Sequence, residues 1–108
     1  MKAVVDAVRY CHELGIVHRD IKPENLLMTT RGPDAILKLA DFGISKILTE
    51  EMLNTNCGTP IYMAPEIWQS QNYNEKVDIW SIGVTMYYLL GGCHPFEGDN
   101  ESMITRIT

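Results

Sequence analysis

Within one short stretch the chain gathers an acid, a lysine and an amide: Val17-His18-Arg19-Asp20-Ile21-Lys22-Pro23-Glu24-Asn25. A second acid heads Asp41-Phe42-Gly43, which begins sixteen residues after Asn25. Each type suits one part of phosphoryl transfer to a hydroxyl, a reaction that asks for positioning and charge rather than covalent work. Asp20, five residues before Asn25, can accept a hydrogen bond from a hydroxyl and aim that oxygen at phosphorus. Lys22 projects to the same side of an extended loop and can neutralise charge on the transferring group. Asn25 and Asp41 are hard oxygen donors of the kind that suit Mg²⁺ bridging phosphates. Gly43 lets the backbone turn tightly after Phe42. Taken singly, His-Arg-Asp is an ordinary surface ion-pair cluster and Asp-Phe-Gly an ordinary turn. The weight lies in their order and spacing, with Ala64-Pro65-Glu66 and Asp78-Ile79-Trp80-Ser81 following.

The elements that must hold these groups can be read from periodicity. Residues 2 to 14 form an amphipathic helix, with Lys2, Asp6, Arg9 and Glu13 on one face and Val4, Val8, Cys11 and Leu14 on the other. Gly15 is its stop. No cap precedes it, as in an element that continues from upstream. Leu26 to Thr29 and Ile36 to Ala40 are short strands, and Arg31-Gly32-Pro33-Asp34 supplies the turn of a small hairpin. Residues 41 to 64 read as one long functional loop. Pro65 opens a short helix over Glu66 to Gln69. From Glu75 to Leu90 the pattern is helical and apolar nearly all round, which predicts a centrally buried helix ended by Gly91-Gly92. Asp99 or Asn100 caps a last helix.

Composition bounds the classes of function. The 108 residues carry 45% hydrophobic and 21% charged side chains, as in a folded domain. Nine scattered bases against 14 acids, net charge −5, give no basic stripe for nucleic acid. The apolar run Ile79 to Leu90 is too short for a bilayer, which needs ~20 residues, so no membrane partner is expected. Cys11, Cys57 and Cys93 show neither disulfide nor zinc spacing, and His12 and His94 lack partners for a metal site. A cytoplasmic or nuclear location is expected.

The joint pattern resembles eukaryotic protein kinases of the serine/threonine type. The resemblance covers residues 1 to 108 and implies an α+β, mainly α fold: a partial large (C-terminal) lobe with a small β-hairpin beside the catalytic loop. By it, Asp20 is the catalytic base, Lys22 steadies the transferred phosphate of ATP, and Asn25 and Asp41 bind the Mg²⁺ ions. Thr59 contacts Asp20 and Lys22 near the acceptor hydroxyl. His18 and Phe42 stack in a spine that sets the active arrangement, and Asp78 ties the long helix to the catalytic-loop backbone. Arg19 is the partner of a phosphate placed on Thr55 by an upstream activating kinase, with Thr49 a poorer site. Lys22 in Asp-Ile-Lys-Pro-Glu-Asn and the stretch Gly58-Thr59-Pro60-Ile61-Tyr62 point to Ser/Thr of a protein as acceptor. The run Cys57 to Glu66 looks most like the calcium/calmodulin-dependent kinase group.

The chain also departs from that family's pattern. It has no Gly-x-Gly-x-x-Gly loop, and none of Lys2, Lys22, Lys38, Lys46 and Lys76 sits in a Val-Ala-x-Lys strand. By the resemblance those elements lie before Met1, and the last helices, with an arginine for Glu66, lie beyond Thr108. Alone, the 108 residues are expected to be inactive or weakly active, with Glu66 unpaired and apolar faces exposed. The alternative is a non-catalytic, kinase-like binding module. Intact Asp20, Lys22, Asn25 and Asp41 speak for the enzyme.

Overall fold

The computed structural model describes residues 1–43, 45–47, 58–69 and 72–108. Helix α1 (Lys2–Glu13) buries Val4 and Val8, one turn apart. Its outer face carries the pairs Lys2–Asp6 at 2.6 Å and Arg9–Glu13 at 3.8 Å. Gly15 takes the left-handed conformation (φ 72°) that ends the helix. Leu14 does not join the apolar stripe. It is the C-cap, its backbone has left helical geometry, and its side chain is exposed.

The hairpin forms as its turn chemistry predicts: β2 (Leu26–Met28) pairs antiparallel with β3 (Leu37–Leu39), Leu26 opposite Leu39. Beyond the ladder, Thr29 N–H donates to the Ile36 carbonyl at 3.0 Å. A second, two-residue pairing joins β1 (Ile16–Val17) to β4 (Lys46–Ile47). The segment 41 to 64, expected to be one long functional loop, contains a strand and a 3₁₀ turn at Pro60–Tyr62. Helix α2 (Pro65–Gln69) opens on its proline. Helix α3 (Lys76–Gly91) stops at Gly92, whose φ is 71° and whose N–H donates to the Tyr88 carbonyl at 2.8 Å. Helix α4 (Asn100–Ile107) is capped by Asp99, which accepts from Ser102 N–H at 2.8 Å.

The expectation that α3 is buried on every side is corrected. Val77, Asp78, Ser81, Ile82, Val84 and Thr85 are buried, but Ile79, Met86, Tyr87, Leu89 and Leu90 are exposed, Leu90 at 79%. Among the described residues, packing covers one side of the helix only.

Two apolar clusters flank the site. Val4, Val8, Ile21 and Ile82 form one, with Leu26, Leu37 and Leu39 against it; Val17, Met63, Ala64, Ile67, Tyr73 and Val77 form the other. Val17 and Ile21 are both fully buried and belong to different clusters. Burying each stabilises by roughly 1.5–3 kcal/mol. The residues between them, His18 to Asp20, are thus strung between two anchors.

Candidate active site

The conformation of that stretch is set by hydrogen bonds rather than by intrinsic preference. Arg19 has φ 69°, a left-handed value that costs a non-glycine residue ~1–3 kcal/mol. Asp78, fully buried in the first turn of α3, offsets this. Its carboxylate accepts His18 N–H and Arg19 N–H, each at 2.8 Å. The Ile21 carbonyl accepts from Thr85 Oγ1 at 3.4 Å, and Ser45 Oγ donates to the His18 carbonyl at 3.2 Å.

The His18 ring is buried. Its Nδ1 accepts Asp20 N–H at 3.3 Å, so the proton sits on Nε2, which donates to the Ala40 carbonyl at 3.0 Å. Phe42 meets the ring edge-on, centroids 4.6 Å apart at 67°, not in the stacked arrangement expected. An edge-to-face contact suits two rings whose faces and edges carry opposite partial charge.

Around Asp20 three side chains converge. Thr59 Oγ1 donates to Asp20 Oδ1 at 2.8 Å and accepts from Lys22 Nζ at 2.7 Å. Lys22 Nζ also lies 3.1 Å from Asp20 Oδ2. Asn25 Nδ2 donates to the Asp20 carbonyl at 2.8 Å and to Asp20 Oδ2 at 3.3 Å. Burial pushes the Asp20 carboxyl up. The hydrogen bonds from Thr59, Lys22 and Asn25, with the charge of Lys22, outweigh it and hold the group below the ordinary carboxylate range. Asp20 is therefore an anion at neutral pH, ready to accept a hydrogen bond.

Thr59 reaches Asp20 because Gly58 passes against the Arg19 carbonyl. At φ 116°, a Cβ on Gly58 would stand 2.5 Å from that oxygen. The following turn is fixed to α3 by Ser81 Oγ, which donates to the Tyr62 carbonyl at 2.8 Å. The buried Tyr62 phenol is pushed up to about 12 by burial, with Glu24 and Tyr88 adding to it, so it stays neutral.

Asn25 sits on a 3₁₀ turn (Pro23–Asn25), buried, with its amide nitrogen committed to Asp20. Its amide oxygen has no hydrogen bond among the described residues. Ala40 N–H donates to the Asn25 carbonyl at 2.9 Å, which tethers Asp41 one residue away. Asp41 is exposed, at φ 60°, and its Oδ1 accepts from Gly43 N–H at 3.1 Å. No group of three or more His, Cys, Asp or Glu side chains converges among the described residues. Two oxygen donors without a protein cage fit Mg²⁺, which keeps waters and phosphate oxygens as its other ligands.

Other expected residues lie elsewhere. Glu66 lines an open pocket of about 270 Å³ with Asn72, Tyr73, Asn74 and Lys76, and forms no ion pair among the described residues. Arg19 Nη1 lies 3.5 Å from Tyr73 Oη. Thr55, Thr49 and Cys57 fall outside the described residues. One residue the sequence reading passed over does matter: His12 Nε2 stands 2.8 Å from Asp78 Oδ2. The signal was present, since His12 follows Val8 by four residues on the apolar face of α1. A polar ring on a buried stripe needs a buried partner.

The protein kinase domain family model matches residues 1–108. Calcium/calmodulin-dependent protein kinase type IV of Mus musculus is 53% identical over 99% of this chain and 24% of its own length. Calcium/calmodulin-dependent protein kinase cmkB of Emericella nidulans is 51% identical over 94% of the chain and 26% of its own. Calcium/calmodulin-dependent protein kinase type 1B of Homo sapiens is 50% identical over 91% and 29%. The chain spans about a quarter of the length of these relatives. Nothing in the site's geometry conflicts with the match, and the chain belongs to the protein kinase domain family.

Proposed function

We propose that the chain is large-lobe sequence of a serine/threonine protein kinase and carries its catalytic loop, activation segment and long helix. The reaction is transfer of the γ-phosphate of ATP to a Ser or Thr hydroxyl of a protein. One observation carries this reading. A hydroxyl, that of Thr59, donates to Asp20 at 2.8 Å while touching Lys22 at 2.7 Å. An acceptor hydroxyl would need the same two neighbours: an anion for its proton and a cation for the charge that gathers on the phosphoryl oxygens.

In this mechanism Asp20 accepts the hydroxyl proton and orients the oxygen, as a base already ionised at neutral pH. Lys22 steadies negative charge beside it. Asn25 and Asp41 would hold Mg²⁺, which would neutralise phosphate charge, while ATP would supply the γ-phosphoryl group and leave as ADP. Asp78 and His18 keep the loop backbone in place. We also infer regulation by an upstream kinase acting at Thr55, with Arg19 as the phosphate's partner, and a cytoplasmic or nuclear location, where Mg²⁺-ATP is plentiful.

A second reading is favoured by the exposed apolar side of α3 (Ile79, Met86, Tyr87, Leu89 and Leu90): the chain alone binds a partner without catalysis. The two separate in one experiment, incubation of the protein, in its full reading frame and as these 108 residues, with labelled ATP, Mg²⁺ and Ser, Thr or Tyr peptides. Label on Ser or Thr peptide that disappears when Mg²⁺ is chelated supports the kinase reading. Label on Tyr alone, or none from the full reading frame, overturns it.

A further inference from the structure

We propose that His12 is a positioning residue for the Asp20 loop, acting through Asp78. The Asp78 carboxylate has no exposure and three partners. Oδ1 accepts Arg19 N–H, Oδ2 accepts His18 N–H, and His12 Nε2 lies 2.8 Å from Oδ2. A buried carboxylate is retained only when its lone pairs are satisfied. An ionised carboxylate has no proton to give, so the His12 nitrogen is the donor and its proton lies on Nε2.

The three donors do different things. The two amides belong to the loop itself and would follow it if it moved. His12 belongs to α1, whose Val4 and Val8 are anchored in the apolar cluster that also holds Ile21. It therefore references the carboxylate to a fixed element and stops it from turning about its terminal torsion. With the carboxylate fixed, Arg19 is held at its left-handed φ of 69° and Asp20 keeps its direction toward Thr59 and Lys22. Cys11, the neighbour of His12, has its thiol pushed up by burial and by the charge of Asp78, as expected beside a buried anion.

Two variants separate positioning from packing. His12→Leu keeps bulk and removes the donor; His12→Gln returns an amide nitrogen near the place of Nε2. Amide hydrogen exchange of His18 and Arg19, followed by NMR in the 108-residue chain, reads the network directly. His12→Leu should speed exchange at both amides by ~tenfold or more, the loss expected for one charge-assisted hydrogen bond. Thr29 and Gly92, bonded far from the site, should stay within about twofold. His12→Gln should restore protection to within about threefold. Equal exchange in wild type and His12→Leu, or no rescue by Gln, overturns the assignment. Should His12→Leu also unprotect Thr29, His12→Asn, whose shorter amide falls short of Asp78, takes its place under the same criteria.

The catalytic consequence rests on the phosphotransfer reading, and its test keeps the two apart. In the full reading frame, His12→Leu should lower kcat by ~tenfold with KM for ATP and peptide within about twofold, and Gln should restore it. An unchanged kcat in an active protein overturns the positioning role and spares the kinase reading. Exchange that responds as stated in a protein that never transfers phosphate does the reverse.

Discussion

Replacing Gly58 by alanine tests whether the backbone crossing at Arg19 is what delivers Thr59 to the base. The new Cβ would lie 2.5 Å from the Arg19 carbonyl oxygen, a backbone atom held by its neighbours. Ordinary contact begins near 3.4 Å, so the two backbone segments must part by about 0.9 Å. If residues 58 and 59 move together, the 2.8 Å bond from Thr59 to Asp20 is stretched to roughly 3.7 Å and ceases to be a hydrogen bond. A hydrogen bond to a partly exposed carboxylate is worth ~1–2 kcal/mol, and alanine at φ 116° adds roughly 1–3 kcal/mol of strain. Gly32 is the control, with φ 142° and nothing within 4 Å of its would-be Cβ, so Gly32→Ala carries the strain without the collision. Urea unfolding of both variants should therefore show Gly58→Ala the less stable by ~1–2 kcal/mol. Carboxyl ¹³C NMR should show Asp20 titrating at higher pH in Gly58→Ala only, since one of the bonds that hold it down is gone. Equal stability of the two variants with an unmoved Asp20 titration would refute the reasoning.

Three further outcomes follow from the same geometry. Asp78→Ala should leave the His18 and Arg19 amides buried without acceptors and cost ~2–5 kcal/mol, read by urea unfolding; a loss under 1 kcal/mol would mean the carboxylate is dispensable. Asp20 and Asp99 both have folded pKa values below their unfolded ones. Their contribution is therefore complete above the unfolded value near 4 and is lost as pH falls through the folded value. Far-ultraviolet circular dichroism between pH 5 and 2 should show helix loss in wild type and a weaker pH response in Asp99→Asn. Paired Ile79→Glu and Leu89→Glu on the open side of α3 should change unfolding free energy by less than ~0.5 kcal/mol while reducing self-association in sedimentation velocity; marked destabilisation would show that this side is packed in solution.

Local chemistry made much of this chain legible. The Gly-Pro-Asp turn, the α1 stripe, Pro65, the Gly92 stop and the Asp99 cap each act within a few residues, so the sequence displays them. The β1–β4 pairing escaped because two-residue strands have no period to detect. The exposed half of α3 escaped because an apolar pattern records what a helix can bury, not what covers it. Left-handed Arg19 is held by a partner far away in sequence, and nothing in its own type announces it, whereas Asp41 bonds locally, its Oδ1 accepting from Gly43 N–H two residues on. His12 and Asp78 are 66 residues apart, and only the fold brings them together. The Asp20 cluster was readable because Asp20, Lys22 and Asn25 are neighbours in one loop, and Thr59 entered only through resemblance.

The measurement closest to the central claim is the rate of Mg²⁺-ATP-dependent phosphate transfer to a Ser/Thr peptide by the full reading frame, wild type against Asp20→Asn. Asparagine keeps the shape and removes the proton acceptor. A fall in kcat of ~100-fold or more is predicted, the span usual for a positioned base, with KM for ATP nearly unchanged. Equal rates from the two proteins would contradict the account.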